Sequence, residues 1–451
     1  MSADPSADRR HPRDRLRRGL SLTDATMLVV SSVIGSGIFF TPATVARLLP
    51  AAHWVLAAWL VGGALSMAGA VANAELGAMY PQAGGDYVYL REAYHPVAGF
   101  LVGWLSFFVI YVGSIATLAV ALAEALAYFV PLGEAAKLEV AVAATAATSL
   151  VNYVSVRAGT RLNNVTAYCK IGALAAFVIA GPLIGTGSIE NLRVSSDTVP
   201  DLSAFGLALS PVLFTYLGWN APVYVASEIE RPERTLPASL FLGLCICTLL
   251  YLTANAVYLY ALPVARLGTT ADAGQAAAQA LFGSLIGSVV AAFVVVSVLG
   301  TLNAMILVGP RIAYAMALDG LFFGGADRVH AVYSTPHRAI VIQALATVAV
   351  LAALRTFPSV LDYTTFAIVL ATMADTAALY TLRRRAPDLP RPYRAWGYPL
   401  VPALYLVANA AIAVAMLRGR PIECGIGLGV IAVGLPFYWV FGRRTSRSAT
   451  T

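Results

Sequence analysis

The chain has 451 residues, of which 59% are apolar and only 12% charged, with a formal charge of +7. Soluble domains average about 45–50% apolar and about 25% charged residues, so this composition excludes an ordinary soluble fold and predicts an integral membrane protein. Apolar runs of about 20 residues, the length needed to cross a bilayer as a helix, recur along the whole chain. In chain order they predict twelve spans, near 22–46, 54–79, 96–129, 138–156, 162–186, 204–228, 238–262, 285–315, 339–355, 359–382, 399–417 and 421–441. The third and eighth are long enough to require tilt or extension beyond the bilayer.

Arginine and lysine accumulate in cytoplasmic loops. With the N-terminus inside, the outer segments hold Arg47, Lys137, Arg193, Arg266, Arg355, Arg418 and Arg420, while every other basic residue except Lys170 is inside. A multi-pass protein of the cytoplasmic (cell inner) membrane with both termini cytoplasmic is expected. The positive charge then reflects loop bias and attraction to anionic lipid, so the bilayer is the expected partner and nucleic acid is not. The first apolar run follows basic residues as in a secretory signal, but it is too long and more spans follow, so its retention is expected. Residues 1–20 read as a disordered cytoplasmic tail. Cys169, Cys245 and Cys247 lie within spans, and together with Cys424 they are expected to be small buried apolar residues rather than a disulfide framework.

Two spans are interrupted by glycine, at Gly35-Ser36-Gly37 in the first and Gly218-Trp219-Asn220 in the sixth. Glycine weakens a helix, and unpaired backbone is tolerated in a bilayer only beside protein or a cavity. Either break alone could serve close helix packing. Two breaks five spans apart point to a transporter with a mid-membrane site between inverted repeats. Each break pairs free N–H groups with free C=O groups, so an amino acid zwitterion could be held by backbone alone, without buried side-chain charge.

Five strings, Ile34-Gly35-Ser36-Gly37-Ile38-Phe39, Pro81 to Tyr89, Gly218-Trp219-Asn220, Glu228 to Pro237 and Arg391 to Pro399, resemble the amino acid, polyamine and organocation (APC) transporter superfamily. Within it the chain looks most like bacterial relatives of the L-type amino acid transporters. The resemblance covers about residues 20–440. It implies an all-α polytopic membrane protein of twelve transmembrane helices in a five-plus-five inverted repeat, LeuT-like, with discontinuous helices 1 and 6. On that plan the tail 1–20 precedes a first repeat at 21–190, a second at 200–385, peripheral helices 11 and 12 at 386–442, and a tail at 443–451. Carried over by position, the N–H groups around Gly35, Ser36 and Gly37 would hold the substrate carboxylate. The carbonyls of Val33, Phe214 and Leu217 would receive its ammonium, with Ile34 and Gly218 in the same breaks. Phe214 would also act as a lid. Tyr111, Ser114 and Thr117 would line the side-chain subsite, although packing through small polar residues explains that spacing equally well. No acid appears among them, which favours neutral L-amino acids. Mammalian L-type relatives carry a cysteine for a heavy chain in the loop after helix 3; Pro131 to Lys137 has none, so no disulfide-linked heavy chain is expected.

Lys170 and Lys137 are the only lysines. Lys170 lies nine residues beyond Arg161, about 13 Å along a helix, which is deep for snorkelling. In related transporters a lysine here approaches the unwound part of helix 1, where sodium-coupled relatives hold an ion. The separation of Ser297 from Thr301 leaves no adjacent hydroxyl pair for sodium, so an ion-coupling or ion-surrogate role and sodium-independent transport are expected. Glu75, Glu124 and Asp375 read as solvated helix ends or structural hydrogen-bonding groups, with gate pairing as the alternative. Glu228 to Arg234 reads as a solvated connector whose charges could pair at an inner gate, and Asn220 as a helix cap, a ligand group or both. The spans contain no catalytic or metal-binding pattern, so no enzyme, cofactor or metal is expected. Transport of cationic amino acids or polyamines, and a non-transporting sensor, remain as alternatives.

Overall fold

In this computed structural model, residues 11–193, 199–283, 286–353, 357–419 and 421–448 are described. Eighteen α-helices lie among them: α1 Leu22–Val33, α2 Gly37–Leu48, α3 Ala52–Met79, α4 Asp86–Ala93, α5 Pro96–Leu105, α6 Val112–Leu126, α7 Glu134–Val154, α8 Val156–Ile184, α9 Leu202–Tyr216, α10 Ala221–Tyr224, α11 Pro232–Ala261, α12 Val264–Leu267, α13 Ala273–Phe282, α14 Gly287–Leu318, α15 His337–Ala353, α16 Phe357–Arg385, α17 Leu400–Gly419 and α18 Pro421–Ser448. No strand occurs among the described residues; two isolated bridges join Leu20 to Ile229 and Ala83 to Val225.

Among the described residues, eight helical stretches are long and apolar enough to cross a membrane, and the bent pair α1 and α2 makes a ninth. The other three expected spans fall on α7, which carries Glu134, Lys137 and Glu139 near its start, and on the shorter helices α9 and α15. α5 and α6 are one 31-residue stretch joined through a π-helical turn at Ser106–Tyr111. α1 begins with a capping box, in which Ser21 Oγ accepts from Asp24 N (3.2 Å) and Asp24 Oδ2 accepts from Ser21 N (2.8 Å). That pairing satisfies two of the donors that a helix start leaves free. The α1–α2 pair bends by 48°. α9 ends at Tyr216, and the chain then turns through Gly218 (φ +97°), a conformation that favours glycine, into the single turn α10.

One end of the bundle gathers most of the buried charge. Glu228 and Arg311 are both almost fully buried, with Arg311 Nε and Nη2 donating to the Glu228 carboxylate at 2.6 and 3.0 Å. Glu75, also buried, accepts from Arg383 Nε (3.0 Å), Arg391 Nε (3.1 Å) and the Ala395 amide (2.6 Å). Arg91 and Tyr87 both donate to Asp319. Solvation is therefore corrected at Glu228, Glu75 and Asp375, all of them buried. Glu75 takes the structural hydrogen-bonding role that was its other expected reading, and Glu228 forms an ion pair, as the connector's charges were expected to be able to do. Arg311, counted above with the loops, lies inside α14. A buried carboxylate needs a partner more than a position at a helix end, and each arginine partner comes from a distant part of the chain. Glu124 is exposed and pairs with Lys137.

Residues 11–20, assigned above to a disordered tail, pack on this same end; residues 1–10 lie outside the described residues. Leu16 and Leu20 are buried. The Gly19 and Leu20 amides donate to the Glu228 carbonyl at 2.8 and 2.9 Å, and Tyr314 Oη donates to Asp14 Oδ1 at 2.9 Å. Hydrophobic Leu16 and Leu20 supply what the polar composition of the tail concealed. The cysteines divide as well: Cys247 and Cys424 are buried, whereas Cys169 and Cys245 are exposed on the helix bundle, where lipid would face them.

Replacing Glu75 with Ala leaves Arg391 buried without its carboxylate. Loss of one partner of a buried pair costs about 3–5 kcal/mol, whereas the exposed Glu124–Lys137 pair is screened by solvent and contributes little. Thermal unfolding in detergent should therefore show a large drop for Glu75→Ala and almost none for Glu124→Ala. Equal melting of the two variants would contradict the buried network.

Candidate functional site

The two breaks lie against each other. A Cβ on Gly218 would sit 3.1 Å from the Cβ and carbonyl oxygen of Ser32, and one on Gly37 would sit 2.9 Å from Thr215 Cγ2. Glycine therefore provides close packing here as well as interruption, and both readings of these residues apply together. Gly35 differs, because its Cβ would meet only Thr301 Oγ1, at 3.8 Å. Thr215 Oγ1 and Thr41 Oγ1 are 2.9 Å apart, tying α9 to α2.

Lys170 reaches the first break from α8. Its Nζ donates to the carbonyls of Ser31 (2.8 Å) and Ile34 (2.6 Å), and lies 2.8 Å from Thr301 Oγ1 on α14. The side chain is fully buried. Thr301 Oγ1 is also 3.0 Å from the Ser31 carbonyl, and Ser297 Oγ 3.4 Å from that of Ile34. An ammonium with three oxygen partners uses all three of its donors, which offsets much of the cost of burying it. The two carbonyls are among those that the end of α1 leaves without helical partners.

A second side chain does similar work from α11. Tyr251 Oη stands 2.9 Å from the Val33 carbonyl and 3.2 Å from the Thr215 carbonyl, one on each broken helix. Nothing in the sequence reading singled out Tyr251. The Gly35 amide also donates to the Val33 carbonyl (2.9 Å), and the Leu217 amide to that of Phe214 (3.1 Å). Among the described residues no protein acceptor is recorded for the amides of Ser36, Gly37 and Ile38, and no donor for the Leu217 carbonyl. The first break thus presents N–H groups where the second presents a carbonyl. Such a pair suits a ligand that carries an anionic and a cationic group a few bonds apart.

Tyr111 ends the π-helical turn, is buried, and meets Tyr224 edge to face at 5.4 Å between ring centroids. π-Turns shift the register of a helix and occur often at functional sites. Thr117 is buried with Oγ1 unpartnered, while Ser114 and Phe214 are half-buried. Asn220 makes no side-chain cap for α10. Instead its Nδ2 donates to Tyr224 Oη (3.2 Å), whose hydroxyl donates in turn to Asp86. The structure joins Tyr111 to the second break through Tyr224, a link that spacing along the sequence could not supply.

A family profile described as amino acid permease matches residues 20–433. The serine/threonine exchanger SteT of Bacillus subtilis (strain 168) is 28% identical over 432 residues, covering 95% of this chain and 98% of that protein. The large neutral amino acids transporter small subunit 2 of Rattus norvegicus is 28% identical over 441 residues, with 94% and 81% covered. Asc-type amino acid transporter 1 of Mus musculus is 27% identical over 435 residues, again with 94% and 81% covered.

The glycines make a graded test. Gly218→Ala adds a Cβ at positive φ, costing about 1–2 kcal/mol from the backbone alone, and drives it against Ser32. Gly35→Ala meets only ordinary contact. Gly218→Ala should therefore lose thermal stability and monodispersity while Gly35→Ala remains folded. The reverse order would place the close approach of the two breaks in error.

Proposed function

Because the chain belongs to the amino acid permease family, we propose that it is a secondary active transporter of neutral L-amino acids, working by alternating access in the cytoplasmic membrane without sodium. The observation that carries this reading is the Lys170 ammonium, held by two carbonyls of the first break and by Thr301. A monovalent metal ion bound at those oxygens would face a positive charge within a few ångströms in a water-poor interior, where repulsion is strong. The lysine supplies the charge such an ion would bring.

In this reading the amides of Ser36, Gly37 and Ile38, with Gly35 beside them, receive the substrate carboxylate. Leu217 and Phe214 offer carbonyls to its ammonium, and Val33 joins them when Tyr251 releases it. Phe214 closes over the substrate, and Tyr111, Ser114 and Thr117 meet its side chain, with Asn220 and Gly218 shaping the second break. The names of the similar proteins, an exchanger of serine and threonine and two transporters of amino acids, support a small or medium neutral substrate. The twelve spans divide as two inverted repeats, 21–190 and 200–385, followed by peripheral helices at 386–442. Both termini face the cytoplasm, so the charged end of the bundle is the inner gate, with Glu228–Arg311 at its centre.

Uptake into proteoliposomes tests this directly. Transport should persist when choline replaces sodium at fixed pH, and esterified or N-acetylated amino acids should compete poorly with the parent compounds. Lys170→Ala removes three charge-assisted hydrogen bonds and should slow turnover by at least about tenfold, the equivalent of one such bond. A strict requirement for sodium, or equal competition by the blocked amino acids, would overturn the proposal.

A further inference from the structure

The motif from Pro81 to Tyr89 delivers an acid to the bundle interior. Asp86 opens α4, and its carboxyl lies within hydrogen-bond reach of that of Asp375 on α16. Both are fully buried. The groups that face the pair are Asn73 of α3, Tyr89 of α4, Tyr111 at the end of the π-turn, Tyr224 of α10 and Tyr405 of α17. None is a cation. The arginines of this end are committed elsewhere, Arg311 to Glu228, Arg391 to Glu75 and Arg91 to Asp319.

Among the described residues the pair is short of donors. Tyr224 Oη donates to Asp86 Oδ2, but Asp86 Oδ1 and both oxygens of Asp375 have no donor among the described residues. Asn73 reaches toward Asp375 without good hydrogen-bond geometry. The Tyr89 hydroxyl, fully buried and facing both carboxyls, is also unpartnered. Two carboxylates in contact, away from water and without a cation, cannot both be ionised. Burial also pushes the Asp86 carboxyl above its ordinary range.

We propose that Asp86 and Asp375 form a proton-binding site, in which one shared proton is held while α10 covers the pair and leaves to water when α10 lifts. Release converts the pair to two carboxylates, and reclosure takes one proton back from water. The cover is a single helical turn directly after the second break. Gly85 permits its close approach, since a Cβ there would lie 2.8 Å from Tyr224 Cδ1, and the Gly84 amide donates to the Tyr224 carbonyl at 3.0 Å. A continuous path, Asn220 to Tyr224 to Asp86 to Asp375, joins the proton to the break. Coupling to transport rests on the transporter reading above; proton binding does not.

Infrared spectroscopy of the purified protein in lipid nanodiscs reads the proton without transport. The wild type at neutral pH should show a protonated-carboxyl C=O band that shifts in D2O. Asp375→Asn and Asp86→Asn, in which an amide N–H takes the place of the shared proton, should each lose it, and either variant suffices should the other misfold. Absence of the band in wild type, its persistence in the variants, or its removal by sodium at constant ionic strength would overturn the site. In proteoliposomes, uptake by the wild type should vary with pH and that by Asp375→Asn should lose this dependence. An unchanged pH profile in the variant would overturn the coupling, while failure of any uptake would refute transport and leave the infrared result standing.

Discussion

A helix broken within a bilayer leaves carbonyls with nothing to accept, and the arrangement around both breaks follows from that requirement. Water is not available in hydrocarbon to satisfy them. Lys170 and Tyr251 do so instead, from α8 and α11. The ammonium binds the carbonyls of Ser31 and Ile34, and the phenol stands between those of Val33 and Thr215. Each contact also fixes the broken segments to neighbouring long helices. A substrate entering here would meet amides and carbonyls already held in place, so less ordering would be required when it binds.

The same logic governs the charged end. Glu228, Arg311 and Glu75 are too buried to be stable singly, and pairing joins the connector after α10 to α14, and α3 to the end of α16 and the segment after it. Since removing one partner costs more than the pair contributes, movement at this end has to keep each pair together or admit water to it. The segment 11–20 adds its amides to the Glu228 carbonyl and its leucines to the core. It is thus tied to the same connector that follows the second break.

Glycine acts in two ways that one-dimensional reading treats as rivals. At Gly37 and Gly218 the absent side chain both weakens the helix and lets the opposing break come within contact. A break exposes backbone, and close approach of another backbone or side chain is one way to satisfy it. The two roles are therefore coupled by the low polarity of the surroundings rather than exclusive.

The sequence by itself determined membrane insertion, the all-helical class, the location of both breaks and the depth of Lys170. These depend on local quantities: the length of apolar runs, the conformational freedom of glycine and the rise per residue of a helix. It also carried motifs specific enough to identify the family. Tertiary structure alone decided which of the charges near span ends are buried, and which atoms meet them and Lys170. Lys170 finds Ser31 139 positions away, Arg311 finds Glu228 83 positions away, and Asp375 meets Asp86 across α16 and α4. The sequence surroundings of Glu228 and Asp375 resemble those of solvated residues at span ends. The free energy of a charge in a membrane depends on its partner more than on its neighbours along the chain, and that partner is set only when the helices pack.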